Sequence, residues 1–127
     1  MTKQYGTILV VEDEATLRQV ITRNLEARGH AVRGAETAAE ALRHLGDWPP
    51  DLMLLDINLP DRSGWDVLRD LRERGIQVPT VIVSAVRVSP ARLEEFRPMA
   101  YLPKPFPLDA LLRLVDSAEE PARAEVE

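Results

Sequence analysis

The segment Ile8-Leu9-Val10-Val11-Glu12-Asp13-Glu14 decides the fold class, because four consecutive apolar residues are followed at once by three acids. No polar residue alternates with the apolar ones, so the run predicts a strand buried on both faces, typical of a parallel sheet covered by helices. Leu52-Met53-Leu54-Leu55-Asp56 repeats the pattern, and Thr80-Val81-Ile82-Val83 adds another buried run. The sequence therefore predicts an α/β domain.

Segments with helical periodicity separate the strands. Strands are predicted to begin near residues 7, 30, 51, 79 and 100, and apolar residues recur at helical spacing after most of them. In the first helix we expect Arg18 to lie on the outward face. The fourth helix is predicted to be weak, because Pro98 limits it to about two turns after Ser89-Pro90. Such alternation builds right-handed βαβ units, so we expect a three-layer, doubly wound parallel sheet.

Length and composition narrow the functional classes. The chain has 127 residues, 45% of them hydrophobic, with a net charge of −5 and no cysteine. We expect one domain over residues 1–118 and an acidic tail or linker start at 119–127. The charge argues against direct binding to nucleic acid or anionic membranes, and the lack of cysteine excludes disulfides and thiolate sites. No apolar run reaches the roughly 18 residues of a membrane span, so we expect a cytoplasmic location.

Charged and polar side chains follow the predicted strands. Glu12 and Asp13 end the first strand, Asp56 the third and Ser84 the fourth, and Lys104 follows the fifth. In open parallel sheets these strand ends share one edge, where ligands bind. Clustered carboxylates predict a Mg²⁺ site, and a lysine and a hydroxyl beside it suit a phosphoryl group. Asp56 is then the candidate nucleophile, with Lys104 pairing with the phosphoryl oxygens and Ser84 donating a hydrogen bond.

Four motifs in this order resemble the receiver domain of the two-component response-regulator family over about residues 6–118. They are Ile8 to Glu14, Leu54 to Asp61 followed by Ser63-Gly64, Val83-Ser84-Ala85, and Tyr101 to Phe106. The resemblance implies a flavodoxin-like (βα)5 fold with strand order 2-1-3-4-5. It also implies phosphorylation by a histidine kinase or histidine phosphotransfer protein, and control of a downstream target or output domain.

The resemblance also implies a role for each site residue. Asp56 corresponds to the phosphorylated aspartate, Glu12 and Asp13 to the acidic pair that holds magnesium, and Asn58 to the residue whose main-chain carbonyl completes the metal shell. Ser84 corresponds to the switch hydroxyl, Tyr101 to the aromatic residue that turns inward, and Lys104 to the lysine at the phosphoryl group. The Lys104–Pro105 peptide bond is expected to be cis, as in relatives.

Two departures from the family pattern affect the expected behaviour. Arg97-Pro98-Met99-Ala100 replaces the usual turn before the fifth strand, beside the face where relatives bind partners and form homodimers. The sequence therefore does not predict whether this chain signals or forms a homodimer through that face. Val86 is apolar at a position where relatives often carry an acid or amide that orients water, which predicts a long-lived phosphoryl group.

Two other functions remain as alternatives at this point. A degenerate receiver would act as a docking module without phosphorylation, although Glu12, Asp13, Asp56 and Lys104 are all retained. A magnesium-dependent phosphohydrolase would also use an aspartyl nucleophile, but such enzymes usually place a second acid two residues later, where this chain has Asn58.

Overall fold

The computed structural model describes residues 6–118, which form one parallel sheet with helices on both faces. Strands and helices alternate along the chain. The strands are β1 (Thr7–Val11), β2 (Ala31–Ala35), β3 (Leu52–Asp56), β4 (Thr80–Ser84) and β5 (Ala100–Pro103). The helices are α1 (Ala15–Ala27), α2 (Ala38–Asp47), α3 (Gly64–Glu73), α4 (Pro90–Phe96) and α5 (Leu108–Ala118). The predicted acidic tail, residues 119–127, lies outside the described residues.

The strand order is β2-β1-β3-β4-β5, and every pair of neighbours is parallel. This order confirms the predicted doubly wound topology. All residues of β3 and β4 are buried, as their uninterrupted apolar runs predicted. The edge strand β2 begins at Ala31, one residue later than expected, and is mostly exposed.

Alternating side chains along the strands divide the core into two layers. Met53 and Leu55 pack with α2 and α3, whereas Leu52 and Leu54 pack with α1 and α5. The alternation follows from the pleat of a strand, in which successive side chains point to opposite faces. Both faces are therefore covered, and the edge at the carboxyl ends of the strands is left for polar side chains.

Helix α4 is short and weakly packed, as predicted. It has seven residues, none of them fully buried. The Ser89 side chain caps its first turn by accepting a hydrogen bond from the Arg92 backbone N–H at 3.2 Å. The helix ends at Phe96, and the residue that follows, Arg97, has a φ of 47° in the left-handed region. A proline disfavours the right-handed helical conformation in the residue before it, so Pro98 explains why α4 does not continue through Arg97.

An aromatic pair links α4 to α3. The rings of Trp65 and Phe96 are stacked with centroids 5.2 Å apart, and the Arg72 guanidinium lies 4.7 Å from the centroid of Phe96. Arg72 also donates a hydrogen bond to the Glu95 carbonyl at 2.8 Å. Together with the partial burial of Leu93 and Phe96 against the core layer of α2 and α3, these contacts hold α4 against the domain. None of the helices in residues 6–118 is long and apolar enough to cross a bilayer.

Candidate functional site

The carboxyl ends of β1, β3 and β4 and the loop after β5 bring the predicted site residues to one edge of the sheet. The order β1-β3-β4-β5 makes these strands neighbours, so residues far apart in the chain become adjacent. The acidic cluster consists of Glu12, Asp13 and Asp56, which each offer a carboxylate oxygen within 4.8 Å of the others. Close carboxylates repel one another, so this cluster needs positive charge nearby.

Burial differs within the acidic cluster. Glu12 is 2% exposed and Asp56 is 4% exposed, whereas Asp13 is exposed to solvent. A set of hard oxygen donors that is closed on the protein side and open to water on the other fits Mg²⁺, which usually keeps several water ligands. Glu12, Asp13 and Asp56 therefore fit a magnesium ion by their chemistry and their arrangement.

Lys104 provides the positive charge that the acidic cluster needs. Its Nζ atom lies 2.9 Å from Glu12 Oε1 and 3.2 Å from Asp56 Oδ2, and its side chain is 16% exposed. Burial alone would lower the pKa of the Lys104 ammonium, but its hydrogen bond and charge interaction with Glu12, together with Asp56, raise that pKa. Burial raises the pKa of Glu12, although the Lys104 hydrogen bond opposes this shift. The ammonium therefore remains charged between the two carboxylates.

Backbone amides orient the carboxylates. The second oxygen of Glu12, Oε2, accepts a hydrogen bond from the Glu14 N–H at 3.0 Å. Asp56 Oδ1 accepts one from the Asn58 N–H, also at 3.0 Å. Each buried carboxylate thus has one oxygen bound to its own loop and the other bound to Lys104. This division fixes the direction in which each carboxylate points.

The Lys104 backbone is joined to the end of β4. Its N–H donates to the Ser84 carbonyl at 2.8 Å, and the Lys104–Pro105 peptide bond is cis. The buried Ser84 hydroxyl donates to the Val86 carbonyl at 2.9 Å and accepts from the Val86 N–H at 3.1 Å. It is therefore engaged with its own loop. Tyr101 is half-buried and packs against the core layer of α2 and α3.

Two residues that the sequence reading did not place in the site adjoin it. Arg18 was expected on the outward face of α1, and that expectation is wrong. Its side chain is only 17% exposed, and its Nη1 donates to the Glu12 carbonyl at 2.6 Å. At Gly64, a β-carbon would lie 2.7 Å from the Asp56 carbonyl oxygen, so only glycine fits without displacement. Neither feature follows from helical periodicity, because both depend on how α1 and α3 approach the strand ends.

Asp61 makes a further contact that the sequence does not predict, although the residue belongs to the motif from Leu54 to Asp61. It lies in the loop between β3 and α3, and its carboxylate accepts hydrogen bonds from the first backbone amides of α2. The sequence carries no local signal for this contact, since the donors lie 23 and 22 residues away.

Comparison with known proteins agrees with the geometry. The family model described as the response regulator receiver domain matches residues 8–116. The chain is 37% identical over 124 residues to the transcriptional regulatory protein KdpE of Mycobacterium tuberculosis, covering 94% of this chain. It spans 54% of the length of KdpE, and less of several other curated relatives.

Solved structures of receiver domains share the fold. The signal receiver domain of a LuxO repressor protein from Vibrio parahaemolyticus superposes with a TM-score of 0.83 at 26% identity, over 94% of each chain. The response regulator TrrA from Thermotoga maritima, solved in complex with Mg²⁺-BeF, has a TM-score of 0.77 at 28% identity, covering 88% of this chain and 97% of that one. The alternatives of a docking module and a phosphohydrolase are not needed to explain these matches. The chain belongs to the response regulator receiver domain family and is a signalling domain of two-component systems.

Proposed function

We propose that this domain accepts a phosphoryl group on Asp56 in a magnesium-dependent reaction. The observation that carries the proposal is the position of Lys104, whose ammonium contacts Asp56 and Glu12 at the edge where Asp13 is open to water. A nucleophilic carboxylate, a fixed cation and a set of metal-binding oxygens meet at one point. This combination suits the transfer of a charged group better than a purely structural role.

The proposed roles follow from the contacts of each residue. Glu12, Asp13 and Asp56 would hold magnesium, together with the main-chain carbonyl of Asn58, and bound magnesium supplies positive charge to the phosphoryl oxygens. An Asp56 carboxylate oxygen attacks the phosphorus atom of a phosphohistidine donor. The P–N bond breaks, its electron pair goes to the imidazole nitrogen, and an acyl phosphate forms.

Phosphorylation would then change the contacts at the site. Lys104 already bonds to Asp56 and would neutralise the new phosphoryl charge. The Ser84 hydroxyl would have to leave Val86 to donate to a phosphoryl oxygen, which would reshape the loop after β4. Tyr101, half-buried on β5 and paired with Ile82 of β4, would follow the change. A phosphoryl group that binds the rearranged state better shifts the population of the domain toward it.

The proposed partners follow from this chemistry. The donor is a histidine kinase or a histidine phosphotransfer protein, and the receiver of the signal is an output domain, a separate target protein or a second copy of the chain. Relatives named as transcriptional regulators support a DNA-binding output domain elsewhere in the response pathway.

The proposal is tested by incubating the chain with acetyl phosphate and magnesium chloride and measuring its intact mass. We expect the wild type to gain one phosphoryl group, and Asp56→Asn to gain none. Asp109→Asn, which removes an acid with a 75% exposed side chain on α5, is the matched control and should react like the wild type. Uptake by Asp56→Asn would overturn the role of Asp56. No uptake by a wild type that binds magnesium would favour the docking alternative.

A further inference from the structure

The first turn of α2 receives its hydrogen-bond acceptors from two different segments. The opening amides of a helix have no partner within the helix itself. The Thr37 side chain caps the third of them, accepting from the Glu40 N–H at 3.0 Å. The first two belong to Ala38 and Ala39, and they donate to Asp61 Oδ1 at 2.8 Å and Oδ2 at 3.0 Å. A residue of the β3–α3 loop thus completes the cap of a helix that precedes it in the chain.

Asp61 belongs to the same short loop as the proposed metal ligand Asn58. The base of this loop is closed by the bridge between Asn58 and Ser63 and by the Gly64 N–H, which donates to the Ile57 carbonyl at 2.8 Å. Asp61 lies at the outer part of the loop and makes two hydrogen bonds to α2, while Leu59 packs against the core layer of α2 and α3. The loop is therefore held at its base by its own backbone, and Asp61 adds a polar attachment of its outer part to α2.

The same turn of α2 is also joined to the loop that carries Glu12 and Asp13. Glu36, just before the cap residue Thr37, lies 3.9 Å from Arg18, and Arg18 donates to the Glu12 carbonyl at 2.6 Å. The start of α2 thus contacts the β3–α3 loop directly through Asp61, and is linked to the loop of Glu12 and Asp13 through Glu36 and Arg18. Movement of the β3–α3 loop relative to α2 would have to break the hydrogen bonds of Asp61.

We propose that Asp61 is a positioning residue of the metal site, which holds the β3–α3 loop, and with it the Asn58 carbonyl, in register with Glu12 and Asp13. This inference rests on the proposed function, because it assumes that the acidic cluster binds magnesium. The negative charge of Asp61 suits the positive end of the α2 dipole, and Asp61 makes this contact while it remains exposed to solvent. The contact therefore orders the loop without closing the site to water.

A simple capping role must be separated from this positioning role. Thr37→Ala is the matched control, because it removes one hydrogen bond from the same turn of α2 without touching the β3–α3 loop. If Asp61 only stabilises α2, the two variants affect magnesium binding alike. If Asp61 positions the loop, only its removal weakens the site.

The experiment measures the magnesium dissociation constant of the full chain by isothermal titration calorimetry. We expect Asp61→Ala to weaken magnesium binding by about tenfold, the lower part of the range for residues that orient metal ligands. The magnesium dissociation constant of Thr37→Ala should stay within about twofold of the wild-type value. The tenfold loss in Asp61→Ala should persist in about 0.5 M salt, where screening removes most long-range charge effects. Equal binding by Asp61→Ala and wild type, or equal losses in both variants, would overturn the inference. So would a loss that disappears in high salt.

Two further measurements keep the outcome decisive. If Asp61→Ala does not fold, Asp61→Asn retains one acceptor oxygen and should show an intermediate loss. In the wild type, magnesium should slow the hydrogen exchange of the Ala38 and Ala39 amides, because coupling between two sites is reciprocal. Unchanged exchange at both amides would contradict the inference. A wild type that fails to bind magnesium would instead overturn the proposed function.

Discussion

Replacing Lys104 by methionine tests the electrostatic logic of the site. The substitution keeps an apolar chain of similar length and removes the charge that contacts Glu12 at 2.9 Å and Asp56 at 3.2 Å. Removing one partner of a buried ion pair costs about 3–5 kcal/mol, because the remaining charge is left without compensation. Lys104 keeps 16% of its side chain exposed, and Asp13 opens the cluster to water. We therefore expect a loss of about 2–3 kcal/mol in the free energy of unfolding.

The loss should depend on pH in a defined direction. Burial raises the pKa of Glu12 above its ordinary value of 4.5, and removing the Lys104 hydrogen bond removes a factor that lowers it. A carboxyl group with a raised native pKa binds more protons in the folded state, so stability falls as the pH rises from 4.5 through the native pKa. The deficit of Lys104→Met should therefore be larger at pH 7 than at pH 5.

The assay is urea unfolding followed by circular dichroism, with a chelator present to remove divalent cations. Arg113→Met is the matched control, since it removes a cation with an 81% exposed side chain whose ion pair should contribute less than about 1 kcal/mol. A Lys104→Met variant as stable as the wild type at pH 7, with no dependence on pH, would refute the reasoning. Magnesium should restore more stability to the variant than to the wild type, because it replaces the missing charge.

Four other perturbations have defined outcomes. The hydrogen bond from the Ala38 amide lowers the pKa of Asp61 in the folded protein below its ordinary value of 3.8. The wild type should therefore be more stable than Asp61→Asn above pH 3.8, and this advantage should disappear as the pH falls through the lowered pKa. Urea unfolding at several pH values measures the difference. Phe96→Ala should cost about 1.5–2.5 kcal/mol, half the value for a fully buried ring, because Phe96 is only partly buried. It should also speed hydrogen exchange in α4, and equal exchange in variant and wild type would contradict this prediction. Val86→Asn should shorten the lifetime of the phosphorylated protein, because an amide at this position can orient water. The effect should be smaller than the roughly hundredfold that a well-positioned general base contributes. Intact mass followed over time measures the lifetime, and a longer lifetime in the variant would contradict the prediction. Gly64→Ala should cost about 1–3 kcal/mol in urea unfolding, because its β-carbon meets backbone at 2.7 Å, and an unchanged midpoint would show that the loop yields easily.

The strands that carry the site could be predicted because their signal is local. An uninterrupted apolar run such as Leu52 to Leu55 indicates burial on both faces whatever lies around it. Acids directly after such runs must lie at the carboxyl edge of a parallel sheet, so Glu12 and Asp56 were placed correctly relative to the strands. The short α4 was also predictable, because Pro98 prevents its continuation by a steric rule that does not depend on the rest of the chain.

Contacts between distant segments could not be predicted in the same way. Arg18 was assigned outward from helical spacing, yet the close approach of α1 to β1 turns it toward the Glu12 carbonyl. The stack of Trp65 on Phe96 depends on the angle at which α3 and α4 pack. Spacing along the chain carries no information about either geometry.

The sequence by itself determined the class of sheet, the alternation of strands and helices, and the set of acids and the lysine that meet at one edge. Only the tertiary structure decided how these groups pair. Lys104 bonds to Asp56 across 48 residues, and Asp61 caps α2 across 23. The physical reason is that burial and periodicity act on neighbouring residues, whereas these pairings depend on distances of about 3 Å that are set when the loops pack against one another.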